Sequence, residues 1–370
     1  MSLSSWDDYP VHQTSEFIRH VATSDRNFYD RYYFNLHGSS DEMFAIFGLG
    51  QYPNLGVTDA FCAVTAGETQ RIVRASTELE DRADVSVGPI RIEIIEPLKK
   101  LRAIIEPNES GIEMDVEWNR LVPAHEEPRQ YLRSKGKVVF DTQRFAQLGS
   151  WTGSLKAGGT TFDVTPDRWK GARDRSWGVR PVGEKEPDGI RADISTMGGM
   201  WSYFPMQFDD HAVLYMCHQE NNGNRPLEEA VRIYADPERE TEWLGTPSWE
   251  HAPIPGTRLL SASTITFAET GTVISARPLI TNFVSLGTGY GIDADWRHGM
   301  YQGRDVVQAL EMTVGESKSL GQYGVVDAVG EFTYEAGDGF AGRVGHGLYE
   351  TGFFGAFEPL GLTDRGMLFP

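Results

Sequence analysis

The chain has 370 residues, with 40 glycines, 19 prolines and 11% aromatic residues, and its 34 basic against 53 acidic side chains leave a formal net charge of −19. A phosphate backbone or an anionic bilayer repels such a surface, which excludes nucleic acid and membrane as first partners and leaves solubility as the role of the charge. At 40% apolar residues the chain can bury a full core, and its length suits two domains or one large all-β unit.

In chain order, the opening MSLSSWDDYPVHQ has no basic n-region and no apolar h-region, so no signal peptide is expected and a cytoplasmic location is. The next stretch, TSEFIRHVATSDRNFYDRYY, offers Ser15 as an N-cap and predicts one or two helical turns. From there the signal has period two. EMFAIFGL is a strand candidate. In IRIEII, Ile90, Ile92 and Ile94 alternate with Arg91 and Glu93. In GIEMDVEWN, Ile112, Met114, Val116 and Trp118 alternate with three carboxylates. Strict alternation places apolar side chains on one sheet face and charges on the other. GKVVFDT, HAVLYMCHQ, SASTITFAE, TVISARPLI and RDVVQALEM continue the series, and PNESG, ENNGN and GDG mark turns between strands. Many short strands with little helix predict an all-β barrel or sandwich. No stretch approaches the roughly 18 apolar residues of a membrane span. Cys62 and Cys217 stand alone and are expected as reduced thiols.

Two internal echoes follow. YYFNLHGSSDEMFAIFGLG (32–50) resembles SYFPMQFDDHAVLYMCHQE (202–220), and GIEMDVEWNR (111–120) resembles GYGIDADWRH (289–298). Both are offset by about 170 to 180 residues, the scale of a duplicated domain. The expected join lies near VRPVGEKEPDG (179–189). This predicts an extension over 1–25, a first domain over 26–185 and a second over 186–370.

Chemistry concentrates first in GARDRSWGVR (171–180). As a strand, it sends Arg173, Arg175 and Trp177 to one face and Asp174 and Ser176 to the other. Two guanidiniums beside an indole can hold an anion or a polarised carbonyl while the ring packs an apolar body. Arg175 stays protonated, so its expected role is stabilising developing oxyanion charge. Asp174, flanked by arginines, is expected below the usual carboxylate range, as an orienting partner. The structural alternative is a salt bridge at the domain join with Trp177 as packing. Next, WSYFPMQFDD supplies Trp201 as a wall and Tyr203, a phenol able to donate a hydrogen bond or carry a proton. In GHGLYE, His346 and Glu350 share a strand face about 13 Å apart, too far for one metal. A glutamate in an apolar pocket can protonate an alkene or move a proton beside a carbonyl. Asp295 and His298 in DADWRHG are read as structural. With no HExxH, CxxC pair or P-loop, and with GTGYG not followed by a helical pattern, neither metal nor nucleotide cofactor is expected.

RDRSWGVRP followed by WSYFPMQFDD resembles the signature of the two-domain lipocalin-like group, which includes AttH-like proteins, carotenoid 1,2-hydratase and tocopherol-cyclase-like proteins. GQYPNLGVTDAF and GRVGHGLYETG resemble an uncharacterised bacterial branch of it. The resemblance implies two packed calycin-type antiparallel β-barrels with a hydrophobic pocket between or inside them, and no redox cofactor. In the hydratase branch a His matches Arg175, a Trp matches Trp177, a Tyr matches Tyr203 and an Asp falls near Pro205. Two functions remain open. One is a cofactor-independent isomerase, cyclase or hydratase acting on a terpenoid, steroid-like or polyketide molecule. Glu350 or Tyr203 would move the proton, Arg175 would face an oxygen anion, and Trp177 and Trp201 would form walls. The other is a carrier for an apolar carboxylic acid or lipid gripped by Arg173 and Arg175, with Asp174 and His346 alongside. The partner in both is a hydrophobic small molecule, and a homodimer is compatible with either.

Overall fold

The computed structural model describes residues 3–181, 189–190, 198–337 and 339–370. Its architecture is all-β. Among the described residues, helix is confined to the eight-residue Val314–Gly321 segment, capped by Thr313 and Glu316, and to short 3-10 turns. Two curled antiparallel sheets hold the strands. The first runs, edge to edge, through Val306–Thr313, Thr69–Glu78, Val57–Ala66, Met43–Tyr52, Phe28–His37, Lys170–Val179, Lys137–Ala157, Ile112–Arg120, Lys100–Ile105, Ile90–Glu96 and Ser86–Val87. The second runs through Glu242–Trp243, Leu227–Tyr234, His211–Gln219, Gly199–Gln207, Val344–Phe354, Val325–Ala336, Thr272–Asn282, Leu260–Phe267 and Pro247–Pro253.

Of the alternating segments, IRIEII buries Ile90 and Ile92 but leaves Ile94 exposed, whereas GIEMDVEWN follows its pattern throughout. Ile112, Met114, Val116 and Trp118 are buried inside the curl of the first sheet. Glu113, Asp115 and Glu117 on the outer face meet Lys156, Arg102 and Lys100, each at 2.6 Å. Strands Met43–Tyr52 and His211–Gln219 are instead buried on both faces. Each packs one face into its own curl and the other against the opposite sheet. Three cores result. Phe34, Phe47, Trp118 and Trp151 fill the first curl. Phe204, Tyr215, Phe332 and Tyr349 fill the second. Between the sheets, Tyr33, Phe44, Ile46 and Phe61 meet Tyr203, Met216, Val329 and Leu348.

Three expectations need correction. No helix forms over residues 15–26, because Asp7 accepts the backbone N–H of Ile18 at 2.9 Å in place of a helical carbonyl. The first echo falls on matching hairpins, Phe28–His37 with Met43–Tyr52 and Gly199–Gln207 with His211–Gln219. The second does not: residues 289–298 are irregular, with Gly289 and Gly291 at φ of 100° and 102°, a left-handed conformation that glycine permits. RDVVQALEM is a strand, but Val306–Thr313 pairs with Thr69–Glu78 and so extends the first sheet. Apart from it, strands up to Val179 belong to the first sheet and those from Gly199 to the second. Residues 182–188 of the expected join lie outside the described residues. Both cysteines are buried and free. Among the described residues no helix is long and apolar enough to cross a membrane.

Candidate functional site

A cavity of about 290 Å³ opens where the two sheets meet, near the lower end of small-molecule sites. From the second sheet, three adjacent strands present a row of polar groups, with Tyr203 opposite Glu350 and Glu350 opposite Asp327. Trp201, two residues before Tyr203 and therefore on the same face, stacks on it with ring centroids 6.1 Å apart. Its indole N–H donates to Glu350 Oε1. Tyr203 Oη donates to Glu127 Oε1 at 2.8 Å, and Glu127 in turn pairs with Arg144. The Arg144 guanidinium lies over the Tyr203 ring, 5.2 Å from its centroid.

From the first sheet, Tyr33 Oη donates to Asp327 Oδ2 at 2.7 Å. Asp174 is the cross-strand neighbour of Tyr33 and also lines the cavity. Its carboxyl makes no hydrogen bond among the described residues. Burial pushes its pKa up to about 7, against the opposing pull of Arg144. This corrects the expectation of a depressed value. The flanking arginines leave the strand on the opposite face, so desolvation outweighs attraction.

Asp327 is completely buried behind Glu350. Its second oxygen, Oδ1, has no protein donor among the described residues, and the Glu350 carboxyl acts on Asp327 from the neighbouring strand. Burial raises both carboxyls, Asp327 well above the usual range, while the Trp201 and Asp327 contacts partly hold Glu350 down. Each carboxyl sits in a desolvated setting, and the pair holds its protons more tightly than isolated carboxyls do. The cavity therefore combines a proton-holding pair, a second acid poised near neutrality and aromatic walls.

Parity along Lys170–Val179 decides where the other candidates lie. Asp174 and Ser176 face the cavity, while Arg173, Arg175 and Trp177 point away from it. Arg173 is buried, with Nε and Nη2 donating to Gln147 Oε1 at 2.9 and 2.6 Å. Arg175 pairs with Asp30 and covers the Tyr32 ring at 3.7 Å. It borders a different opening of about 310 Å³ at the mouth of the first curl, together with Arg82 and Trp6. Trp177 is 37% exposed and lines neither space. His346 shares the strand face of Glu350 but lies further along it, 3.8 Å from Glu331, and does not line the cavity. The structure thus brings together Asp174, Trp201, Tyr203 and Glu350, and separates Arg173, Arg175, Trp177 and His346 from them.

Sequence reasoning missed Asp327, Arg144 and Arg31. Their signal is charge within a run destined for burial: one charged residue in VVDAVG and in TQRFAQL, and the Asp30–Arg31 pair in FYDRYYF. Among the described residues no group of three or more His, Cys, Asp or Glu is arranged to hold a metal.

A sequence-family profile matches residues 3–363. The chain belongs to DUF8625, a family of unknown function. No curated protein matches this DUF8625 sequence. Among solved structures, an AttH-like protein from Nitrosomonas europaea superposes with a TM-score of 0.51 at 13% identity, covering 90% of this chain and 94% of that one. Kievitone hydratase from Nectria haematococca gives 0.49 at 13% identity, over 87% and 88% of the two chains. CghA with Sch210972 gives 0.48 at 8%, over 89% of each. The DUF8625 chain has the two-domain lipocalin-like fold that its motifs resemble.

Proposed function

We propose that this protein is a cofactor-independent acid–base enzyme of the hydratase, isomerase or cyclase type, acting on a hydrophobic small molecule in the cavity between the sheets. The observation that carries this reading is the Glu350–Asp327 pair, a carboxyl dyad with raised proton affinity beside an aromatic-walled cavity. The dyad gives its proton to an alkene or enol carbon, and positive charge develops on the neighbouring carbon. Asp174, with a pKa of about 7, takes a proton in return. If water adds, the proton comes from that water and the product is hydrated. If the adjacent carbon loses it, the double bond moves. If a second double bond attacks first, a ring closes. Each course balances without oxidant or reductant. Tyr203, held by Glu127, and Trp201, held by Glu350, fix the wall against which the substrate lies.

The test is incubation of the full-length protein with a panel of unsaturated terpenoid and polyketide-type ketones and acids, read by chromatography and mass spectrometry. The expected product has either the same mass and a new retention time or one added water, and Glu350→Gln abolishes it while leaving the fold intact. Compounds that bind and are recovered unchanged from the wild-type protein would overturn the catalytic reading in favour of a carrier.

A further inference from the structure

At the other end of the same cavity lies a second polar cluster that the proton chemistry does not use. Arg31 projects from the middle of Phe28–His37 and is only 3% exposed. Its Nη1 donates to His298 Nδ1, and Tyr290 lies under its guanidinium at 5.2 Å. Arg180 Nη2 donates to the same nitrogen at 3.2 Å, and its guanidinium covers Tyr29 at 4.5 Å. His298 Nε2 meets the carbonyl oxygen of Thr288 at 3.0 Å, so Nε2 carries the proton and Nδ1 is the acceptor. Burial and the two guanidiniums hold its pKa well below the usual imidazole value. The histidine is therefore a neutral anchor between two cations and compensates neither charge.

Two carboxyls, Asp59 and Asp174, act on Arg31 without a hydrogen bond to it, and the oxygens of Asp59 are committed elsewhere. Oδ1 accepts from Tyr52 Oη at 3.1 Å, and Oδ2 accepts from the backbone N–H of Gly299 at 2.7 Å. Two nitrogens of Arg31, Nε and Nη2, are buried without an acceptor among the described residues. Arg31, Arg180 and His298 all line the cavity. Leaving charged donors buried and unsatisfied is costly, and an oxyanion from a ligand offsets that cost with charge-assisted bonds.

We propose that Arg31 and Arg180, keyed by His298, bind an acidic oxygen of the substrate, a carboxylate or an enolate, so that the molecule taken up is apolar along its body and anionic at one end. This rests on the proposed proton-transfer cavity but concerns binding alone, so the two stand or fall separately. The charge arrangement gives the cavity a direction. The anionic head lies at the arginines, and the unsaturated body extends towards Glu350 and Asp174.

The probes are 2-naphthoate and its neutral near-isostere 2-naphthamide, titrated by calorimetry at pH 7.5 into the full-length protein. 2-Hydroxy-1,4-naphthoquinone, an acidic enol ionised at this pH, serves as a third arm and separates enolate from carboxylate recognition. The expected result is at least tenfold tighter binding of one or both anions than of the amide. Arg31→Met removes that preference and leaves amide binding unchanged. Arg180→Gln, at the strand end, repeats the loss if Arg31→Met does not fold. Arg304→Gln, which deletes a surface cation on the 283–305 loop, keeps the preference. Glu350→Gln keeps it too, whatever it does to turnover. Equal affinity of the wild-type protein for all three probes, absence of saturable binding of both anions, or a preference that survives both arginine substitutions would overturn the proposal.

Discussion

Asp174 illustrates how one residue's role follows from the face its strand presents. Its carboxyl is raised from an ordinary 3.8 to about 7 chiefly by burial. The folded state therefore binds this proton more tightly than the unfolded chain does. Its contribution to stability is fully present below pH about 4 and is lost as pH rises to about 7. Compared with Asp174→Asn, the wild-type protein should lose unfolding free energy steadily across that window, as read from urea melts at pH 4, 5.5 and 7.5. A difference between the two proteins that stays constant with pH would remove Asp174 as a neutral-pH acid. The dyad makes a second prediction. With Asp327→Leu, Glu350 loses a contact that partly holds its proton affinity down, so it titrates higher. The alkaline limb of the rate profile then moves up by about one pH unit. An unmoved limb would show that the dyad does not supply the proton.

Strands supply the positions, and two of them show different tolerances. In Val344–Phe354, a Cβ on Gly347 would sit 2.0 Å from the carbonyl oxygen of Pro205 on the neighbouring strand. That approach aligns Glu350 with Tyr203 three residues further on. Gly347→Ala should therefore lower the melting temperature by several degrees and reduce turnover with it. In Lys170–Val179, Trp177 is part-exposed and outside the cavity. Trp177→Phe should shift the melt by no more than about 0.5 kcal/mol and leave ligand binding unchanged. A large loss of affinity there would mean that the strand's other face takes part in recognition.

The whole molecule is tied together by a crossover. After Asn282 the chain leaves the second sheet. Residues 283–305 lie against the first sheet, with Phe283 N–H donating to Gln70 Oε1 at 3.0 Å and Arg74 covering Trp296 at 4.3 Å. Val306–Thr313 then completes that sheet's edge. This loop also carries His298 and Tyr290, so the arginine end of the cavity exists only when both halves are present. A fragment spanning residues 3–181 would leave Thr69–Glu78 as an open edge and expose Phe44, Ile46 and Phe61. It should elute from size-exclusion chromatography as aggregate, while the full chain melts in one calorimetric transition. A monomeric, folded fragment would contradict this dependence.

The period-two runs and turn residues were sufficient to specify an all-β chain, because alternation is a local consequence of the pleat and needs no partner to be legible. The motif around residues 171–181 and the carboxyl of Glu350 stood out as candidates for a similar reason: unusual charge in a strand is visible without a partner. Which face of RDRSWG looks into the cavity was not legible, since a strand has two faces and both are enclosed here, one by its own curl and one by the second sheet. Nor was the pairing of Glu350 with Asp327 or of Arg31 with His298, the latter 267 residues apart. Proton affinity and charge balance at these groups depend on what lies across the gap. That is set by how the two sheets pack, and by a strand that crosses from one half of the chain to the edge of the other.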